Sequence, residues 1–345
     1  MGNACMCQVS IGRKVYDADD SDSNNSNDYL PYRYGHCGAK VMLSGSSKFV
    51  SMYSQKGEKE VNQDAMTVWE NFTGEKDMIF CGVFDGHGPQ GHKYAQTICN
   101  NLPSKLSTSI KMSQQISKSQ LGLDINGDEN QNMPCVSWEG SFLKSFSEMD
   151  RDLAQNVYIG SFSGGSTAVT IVKQENQLII GNLGDSRAIL CTKTDDNFRI
   201  PIQLTVDLKP NIPSEASRIT KCGGRIFPSK DDPSGINRIW MAEEDCPGLA
   251  MTRSFGDFCL KDYGLISVPD VIYRRINKQD EFVVLASDGI WDVLTNEEVI
   301  NIISSARKRS EAAKTLVKHA LQAWKVKCPN AAVDDCTAIC LFLNN

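Results

Sequence analysis

The chain has 345 residues, 41% of them hydrophobic and 23% charged, the composition of a soluble globular protein able to bury a core. Against 42 Asp and Glu stand 36 Lys and Arg, a net charge of −6 that argues against nucleic acid or an anionic membrane surface as the main partner. The 13 cysteines are scattered without a C-x-x-C pair, no leading signal segment is evident, and no apolar stretch has the length of a membrane span; reduced thiols in a cytoplasmic or nuclear protein are expected.

Residues 1–47 read as a disordered N-terminal segment. "DADDSDSNNSND" (17–28) is acidic, polar and without apolar periodicity, so it cannot offset the entropy of ordering. "MGNACMC" offers Gly2 for myristoylation and Cys5 and Cys7 for palmitoylation, although Met6 stands where Ser or Thr is usual. One myristoyl chain holds a membrane only marginally, so plasma-membrane attachment would need an acylated cysteine as well; a plain disordered start is the alternative.

From residue 48 to 345 a single folded unit is expected. Strand-like runs occur at 65–69, 78–84, 167–173, 177–181, 187–192, 282–286 and 336–343. A helix is expected after Pro89, and another where Phe142, Phe146, Met149 and Leu153 recur at helical spacing. Residues 107–136 read as a polar insertion and a solvated loop. "DINGDENQN" within it resembles a calcium loop but has Glu129 where Gly is needed and Cys135 where a bidentate Glu is needed. Residues 215–246, rich in Gly, Pro and charge, suit a surface flap beside a cleft. The run 295–324 opens on a capping box of Thr295 and Glu298 and continues with apolar stripes. The strands come in groups joined by short turns, which favours a largely antiparallel sheet.

Two apolar runs end in Asp-Gly, at Asp85-Gly86 and Asp288-Gly289, and two others are preceded by Asp64 and Asp334. In an antiparallel pair the start of one strand lies beside the end of its neighbour. A hairpin of 65–69 with 78–84 would bring Asp64 to Asp85, and pairing of 282–286 with 336–343 would bring Asp288 to Asp334. Carboxylates crowded in this way need a compensating cation, and oxygen-only donors point to magnesium or manganese. Gly86, lacking Cβ, lets its carbonyl approach a metal or bound water. A lone Asp-Gly is more often a turn after a strand; four aspartates at strand ends weaken that reading. His87 beside Asp85 is a candidate proton donor, since imidazole titrates near working pH.

"NQDA" (62–65), "VFDGHG" (83–88), "GGSTA" (164–168), "GNLGDSRA" (181–188), "GLAMTRSFGD" (248–257), "LISVPDV" (265–271), "ASDGIWDVL" (286–294) and "VDDCTAI" (333–339) together resemble the metal-dependent protein serine/threonine phosphatases of type 2C, in particular the plant branch. The resemblance implies an α+β fold, a sandwich of two antiparallel β-sheets flanked by pairs of α-helices (αββα), with a dinuclear metal site at one end. By matching position, Asp85 would bridge two Mg or Mn ions, the Gly86 carbonyl would serve one, Asp288 and Asp334 the second, and Asp64 would act partly through waters. His87 would be the general acid. Asp185 and Asp292 match positions tied in some relatives to a third, weaker metal, and equally suit ordinary hairpin-turn and helix-start aspartates. Arg253 is read as structural and Cys81 as core.

Two departures stand out. Gln63 replaces a Glu common before the first Asp, which makes the water-mediated shell less negative. Lys59 occupies the position where many relatives use Arg to grip the substrate phosphate, a point charge in place of a fork; an ordinary surface lysine is the alternative. The mechanism implied is in-line attack on phosphorus by a metal-bridged hydroxide, with Lys59 offsetting charge and His87 protonating the departing seryl or threonyl oxygen. Phosphoproteins are the expected substrates, with protein kinases as further partners and a monomer as the working form. The competing reading is a catalytically weak family member acting as a kinase-binding module, whose sign would be loss of Asp85, Asp288 or Asp334.

Overall fold

The computed structural model describes residues 32–34, 40–42, 45–121, 138–156, 162–230 and 235–343. The acylation pattern, the acidic run at 17–28 and the calcium-like stretch lie outside the described residues. The helices are α1 (Gly91–Leu121), α2 (Trp138–Ala154), α3 (Pro213–Lys221), α4 (Phe258–Lys261), α5 (Asp288–Trp291), α6 (Asn296–Ser305) and α7 (Ala312–Lys327).

Every run read as a strand is one, with small shifts at the ends. They assort into two antiparallel sheets. The first runs in the order Tyr32–Tyr34, Lys40–Met42, Asp64–Glu70, Ile79–His87, Ala168–Gln174, Gln177–Leu183, Asp270–Arg275, extended by the short pieces Gly165–Ser166 and Phe255–Gly256. The second runs Arg199–Gln203, Arg187–Lys193, Asp280–Ala286, Cys336–Phe342, Val50–Gln55, Gly45–Ser46. Strand alternation sorts their side chains between two environments. Cys81 and Val83 face the inter-sheet core with Ile171, Leu285 and Ile339, while Phe80 and Phe84 point outward under α1 and α2, against Ile98, Leu102 and Phe142. The second sheet does the same, with Ile339 and Leu341 inward and Cys336, Ala338 and Cys340 under α6 and α7. Strands buried on both faces explain why the sequence shows unbroken apolar runs. The result is the expected αββα sandwich.

The capping box of α6 forms as expected: Glu298 N donates to Thr295 Oγ1 at 3.1 Å and Thr295 N to Glu298 Oε2 at 2.8 Å. The run 295–324 is divided by the extended Ala306 and a short turn at Arg309–Glu311 before α7 begins.

Two expectations are corrected. Order starts before residue 48: Lys40–Met42 pairs with the strand Asp64–Glu70, and Val41 and Met42 are buried. Three residues are too few to register as a periodic pattern. Residues 107–121 are not loop but the second half of α1, which continues from a buried stripe of Leu102, Leu106 and Ile110 and then turns Met112 and Ile116 to the surface. Among the described residues no helix is long and apolar enough to cross a membrane.

The described residues of 215–246 form most of a small layer of their own. Strands Arg225–Pro228, Asn237–Trp240 and Pro247–Leu249 make a three-stranded sheet, packed with α3 and α4 around Ile219, Ile239, Leu249, Met251, Leu260 and Leu265.

Candidate functional site

The hairpin Asp64–Glu70/Ile79–His87 sets Asp64 directly opposite Asp85. Ala286 pairs with Ala338, so Asp288, opening α5, and Asp334, just before Cys336–Phe342, emerge at one end of the second sheet. The two ends meet. The Ser287 hydroxyl donates to Asp64 Oδ2 at 2.7 Å and itself accepts from Thr337 N at 3.1 Å. The four aspartates singled out by position are thus gathered at one rim.

The backbone of Asp85 is clamped from the side. Asp85 N donates to Thr167 Oγ1 (3.1 Å), Thr167 N donates to the Asp85 carbonyl (2.9 Å), and Thr167 Oγ1 shares a hydrogen bond with Ser186 Oγ (2.7 Å). Gly86 N donates to the Gln63 carbonyl (3.2 Å), and a Cβ at Gly86 would stand 2.3 Å from the Gly91 carbonyl oxygen. Only glycine fits there.

The electrostatics are those of crowded, buried carboxylates. Burial raises Asp85 and Asp288 well above the ordinary carboxylate range, and the surrounding aspartates add to it: Asp288, Asp64 and Asp334 around Asp85, and Asp185, Asp334 and Asp292 around Asp288. Burial brings Asp64 to about 6, with hydrogen bonds from Thr337 and Ser287 opposing. Lys59 Nζ lies 2.5 Å from Asp334 Oδ1 and 3.7 Å from Asp335 Oδ2. Burial pulls the Lys59 ammonium down, but Asp334 and Asp85 more than restore it and its proton affinity ends above the ordinary value.

The donor set is oxygen only, Asp64 Oδ1 is buried without a hydrogen-bond partner, and like charges are packed in low dielectric, all of which fit a hard divalent cation. Among the described residues no three His, Cys, Asp or Glu side chains already stand as a closed ligand group. Asp334 is engaged by Lys59 and Asp64 by Ser287.

Asp185 and Asp292 border the same region. Asp185 is buried beyond the end of the strand Gln177–Leu183, with Lys209 Nζ 3.4 Å from its Oδ2. Asp292 follows α5 instead of starting a helix. Burial lifts it to about 6, Lys209 opposes, and Asp185 and Asp334 add to the rise. Arg253 is bound to Glu215 and Asp270. Cys81 is buried, which holds its thiol far above the ordinary range and inert.

Two contributions, those of Asp335 and Asp257, were not singled out in advance, and Gln63, noted above as a departure, makes a contact that its position did not announce. Asp335, fully buried, accepts from Gly57 N (2.9 Å) and Gln63 N (2.8 Å), tying the segment that carries Lys59 and Asp64 to the Asp334 turn. Gln63 turns its amide away to donate to the Gly88 carbonyl (3.1 Å) and so braces the "DGHG" turn. Asp257 Oδ2 stands 2.7 Å from His87 Nε2. Burial lowers the basicity of His87, and the charge and hydrogen bond of Asp257 reverse that, leaving it above the ordinary histidine value. Asp335 and Asp257 lie in quoted motifs, yet nothing local distinguishes them from neighbouring polar residues.

The family model described as Protein phosphatase 2C matches residues 49–327. The Arabidopsis thaliana protein named "Probable protein phosphatase 2C 65" is 49% identical over 308 residues, 89% of this chain and 80% of that protein. "Probable protein phosphatase 2C 33" of the same plant is 42% identical, covering 100% of this chain and 77% of that protein. Among solved structures, the serine-threonine phosphatase 2C from Toxoplasma gondii is similar, with a TM-score of 0.75 and 25% identity over 88% of this chain and 98% of that one. The chain belongs to the protein phosphatase 2C family, which are serine/threonine phosphatases.

Proposed function

We propose that the carboxylate rim is a two-ion magnesium or manganese centre and that the chain hydrolyses phosphoserine and phosphothreonine in proteins by in-line attack of water on phosphorus. Asp85, Asp288, Asp334 and the Gly86 carbonyl would hold the ions directly, and Asp64 through water. When bound, such ions offset the crowded negative charge and lower the pKa of water. Lys59, at the Asp334 end of the rim, would bind the phosphoryl oxygens as a point charge. His87 would donate the proton to the departing seryl or threonyl oxygen. Phosphoproteins are the substrates, protein kinases are natural partners, and the monomer suffices as the working unit. The reading of the chain as a non-catalytic kinase-binding module is not favoured, because Asp85, Asp288 and Asp334 are all present.

One observation supports this reading above the others. Asp64 and Asp85 are cross-strand partners, and Asp64 accepts from the hydroxyl of Ser287, the residue before Asp288 at the end of the other sheet, at 2.7 Å. The test is hydrolysis of a phosphothreonine peptide with manganese, paired with manganese binding by calorimetry. Asp85→Asn should lose both turnover and tight ion binding while remaining folded. Turnover that survives chelation, or that Asp85→Asn leaves unchanged, would sink the proposal.

A further inference from the structure

Asp257 is an expensive residue to place where it is. It is 1% exposed, and it adopts a left-handed backbone conformation (φ 47, ψ 45) that a residue with a Cβ takes up only at a cost. It precedes α4, but its side chain makes no capping hydrogen bond there. Its N–H donates to the Gly164 carbonyl at 2.8 Å, which fixes the backbone, and its Oδ2 receives the Ser254 hydroxyl at 2.6 Å. The same oxygen stands 2.7 Å from His87 Nε2.

Room for this contact is made elsewhere in the chain. A Cβ on Gly165 would lie 2.2 Å from Asp257 Oδ2, so the glycine of "GGST" leaves space for the carboxylate. Gly165 is also the strand partner of both His87 and Gly256. The nearby lysine does not neutralise Asp257: Lys261 Nζ is taken by the Ser254 carbonyl (2.9 Å) and by Asp150 Oδ2 (3.0 Å). A buried carboxylate whose charged partner is a lone imidazole is a poor stabilising device, since an apolar pair of similar volume would usually serve the fold as well. Meanwhile His87 Nδ1 is buried with no hydrogen-bond partner, two residues along the strand from Asp85. A buried polar nitrogen left unpaired calls for a reason beyond stability.

We propose that Asp257 is a positioning residue for dephosphorylation: its carboxylate accepts the Nε2 proton of His87, fixes the ring, and leaves Nδ1 as the nitrogen that meets the leaving oxygen. The inference rests on the proton-donor role proposed for His87. In the step, water forms the new P–O bond and loses a proton to solvent. The ester P–O bond breaks with its electron pair passing to the seryl or threonyl oxygen, which takes the proton from Nδ1. His87 leaves the step neutral, with Nε2–H still on Asp257, and regains a proton from solvent.

The test compares two substrates on the full-length chain with manganese: a phosphothreonine peptide, whose alkoxide must be protonated to leave, and p-nitrophenyl phosphate, whose phenolate need not be. General acid catalysis contributes on the order of a hundredfold or more. Asp257→Ala should lower kcat on the peptide by about that factor at unchanged KM, with a change of under about threefold on the aryl ester. Asp257→Asn, which keeps the volume and with it the fold, should show the same split at smaller size. In a His87→Ala background, removing Asp257 should cost nothing further on the peptide. Equal loss on both substrates, or additive losses in the double variant, would overturn the positioning role while leaving His87 as the acid. If His87→Ala itself shows no substrate split, the acid role fails and the inference falls with it.

Discussion

Glu215→Gln probes the joint between the flap and the sandwich. Glu215 is 2% exposed. Its two oxygens accept from Arg218 at 2.8 and 2.6 Å, from Arg253 at 3.0 and 2.8 Å, and from the Thr252 hydroxyl at 2.8 Å. Arg253 reaches on to Asp270 Oδ1 at 2.8 Å, so a single carboxylate links α3 to the edge strand Asp270–Arg275. Burial alone would raise this carboxyl, but the hydrogen bonds from Arg218, Arg253 and Thr252 prevail and bring it from 4.5 down to about 2. A depression of that size corresponds to about 3 kcal/mol of stability at neutral pH, in line with the roughly 3–5 kcal/mol lost when one partner of a buried ion pair is removed.

Glutamine keeps the shape, but it removes the charge and turns one acceptor into a donor facing a guanidinium. The variant should therefore be less stable by about 3 kcal/mol in urea unfolding at pH 7, and trypsin should cut sooner around Lys221, on the exposed flap surface. The pH dependence has a definite sign. A folded-state pKa below the unfolded one contributes stability that is present above 4.5 and is lost as pH falls toward about 2. The gap between wild type and variant should be level above about pH 5 and narrow below it. A variant within about 0.5 kcal/mol of wild type at pH 7, or a gap that widens on acidification, would refute this account.

Gly86→Ala should lower stability by about 1–3 kcal/mol, because its Cβ would meet the Gly91 and Gln63 carbonyl oxygens at 2.3 and 2.6 Å. The backbone must then shift, so manganese titration should show weaker binding, and unchanged affinity would count against the fit described. Cation removal by chelation should expose the opposite pH dependence to that of Glu215. Asp64 is raised from 3.8 to about 6 by burial, so the chelated protein should gain stability as pH falls through about 6 toward 4, and ion uptake should release protons in calorimetry at pH 6. Thr295→Ala removes the side-chain half of the α6 capping box, the Glu298 N to Thr295 Oγ1 bond, and leaves the backbone donor of Thr295 in place. It should cost about 1 kcal/mol in urea unfolding and leave phosphopeptide turnover unchanged.

What could be read from the residues alone was set by how local the deciding physics is. A strand buried on both faces must be apolar throughout, so Ile79–His87 and Cys336–Phe342 announce themselves. Once the strands are placed, antiparallel geometry brings Asp64 to Asp85 without any knowledge of packing. Burial of an individual polar side chain has no such signature. In "VDD" two identical letters are adjacent, yet Asp334 keeps 29% of its side chain exposed against 0% for Asp335. Asp334 meets Lys59 at 2.5 Å, and Asp335 is buried with its oxygens accepting from Gly57 N and Gln63 N. Only the fold decides which is which.

The same holds for Asp257, 170 residues from His87 along the chain. Its contact needs the strand end at His87, the missing Cβ of Gly165 and the turn at Gly256 to coincide. Each is visible as a motif, but their junction is not. Lys59 shows the limit from the other side. Its position marks a phosphate ligand by resemblance, while the fold gives it Asp334 as a partner. Under the proposed role a substrate phosphate would share that ammonium with the carboxylate, and a lysine, with three rotatable donors on a flexible stem, would serve both where a planar guanidinium would be committed to one.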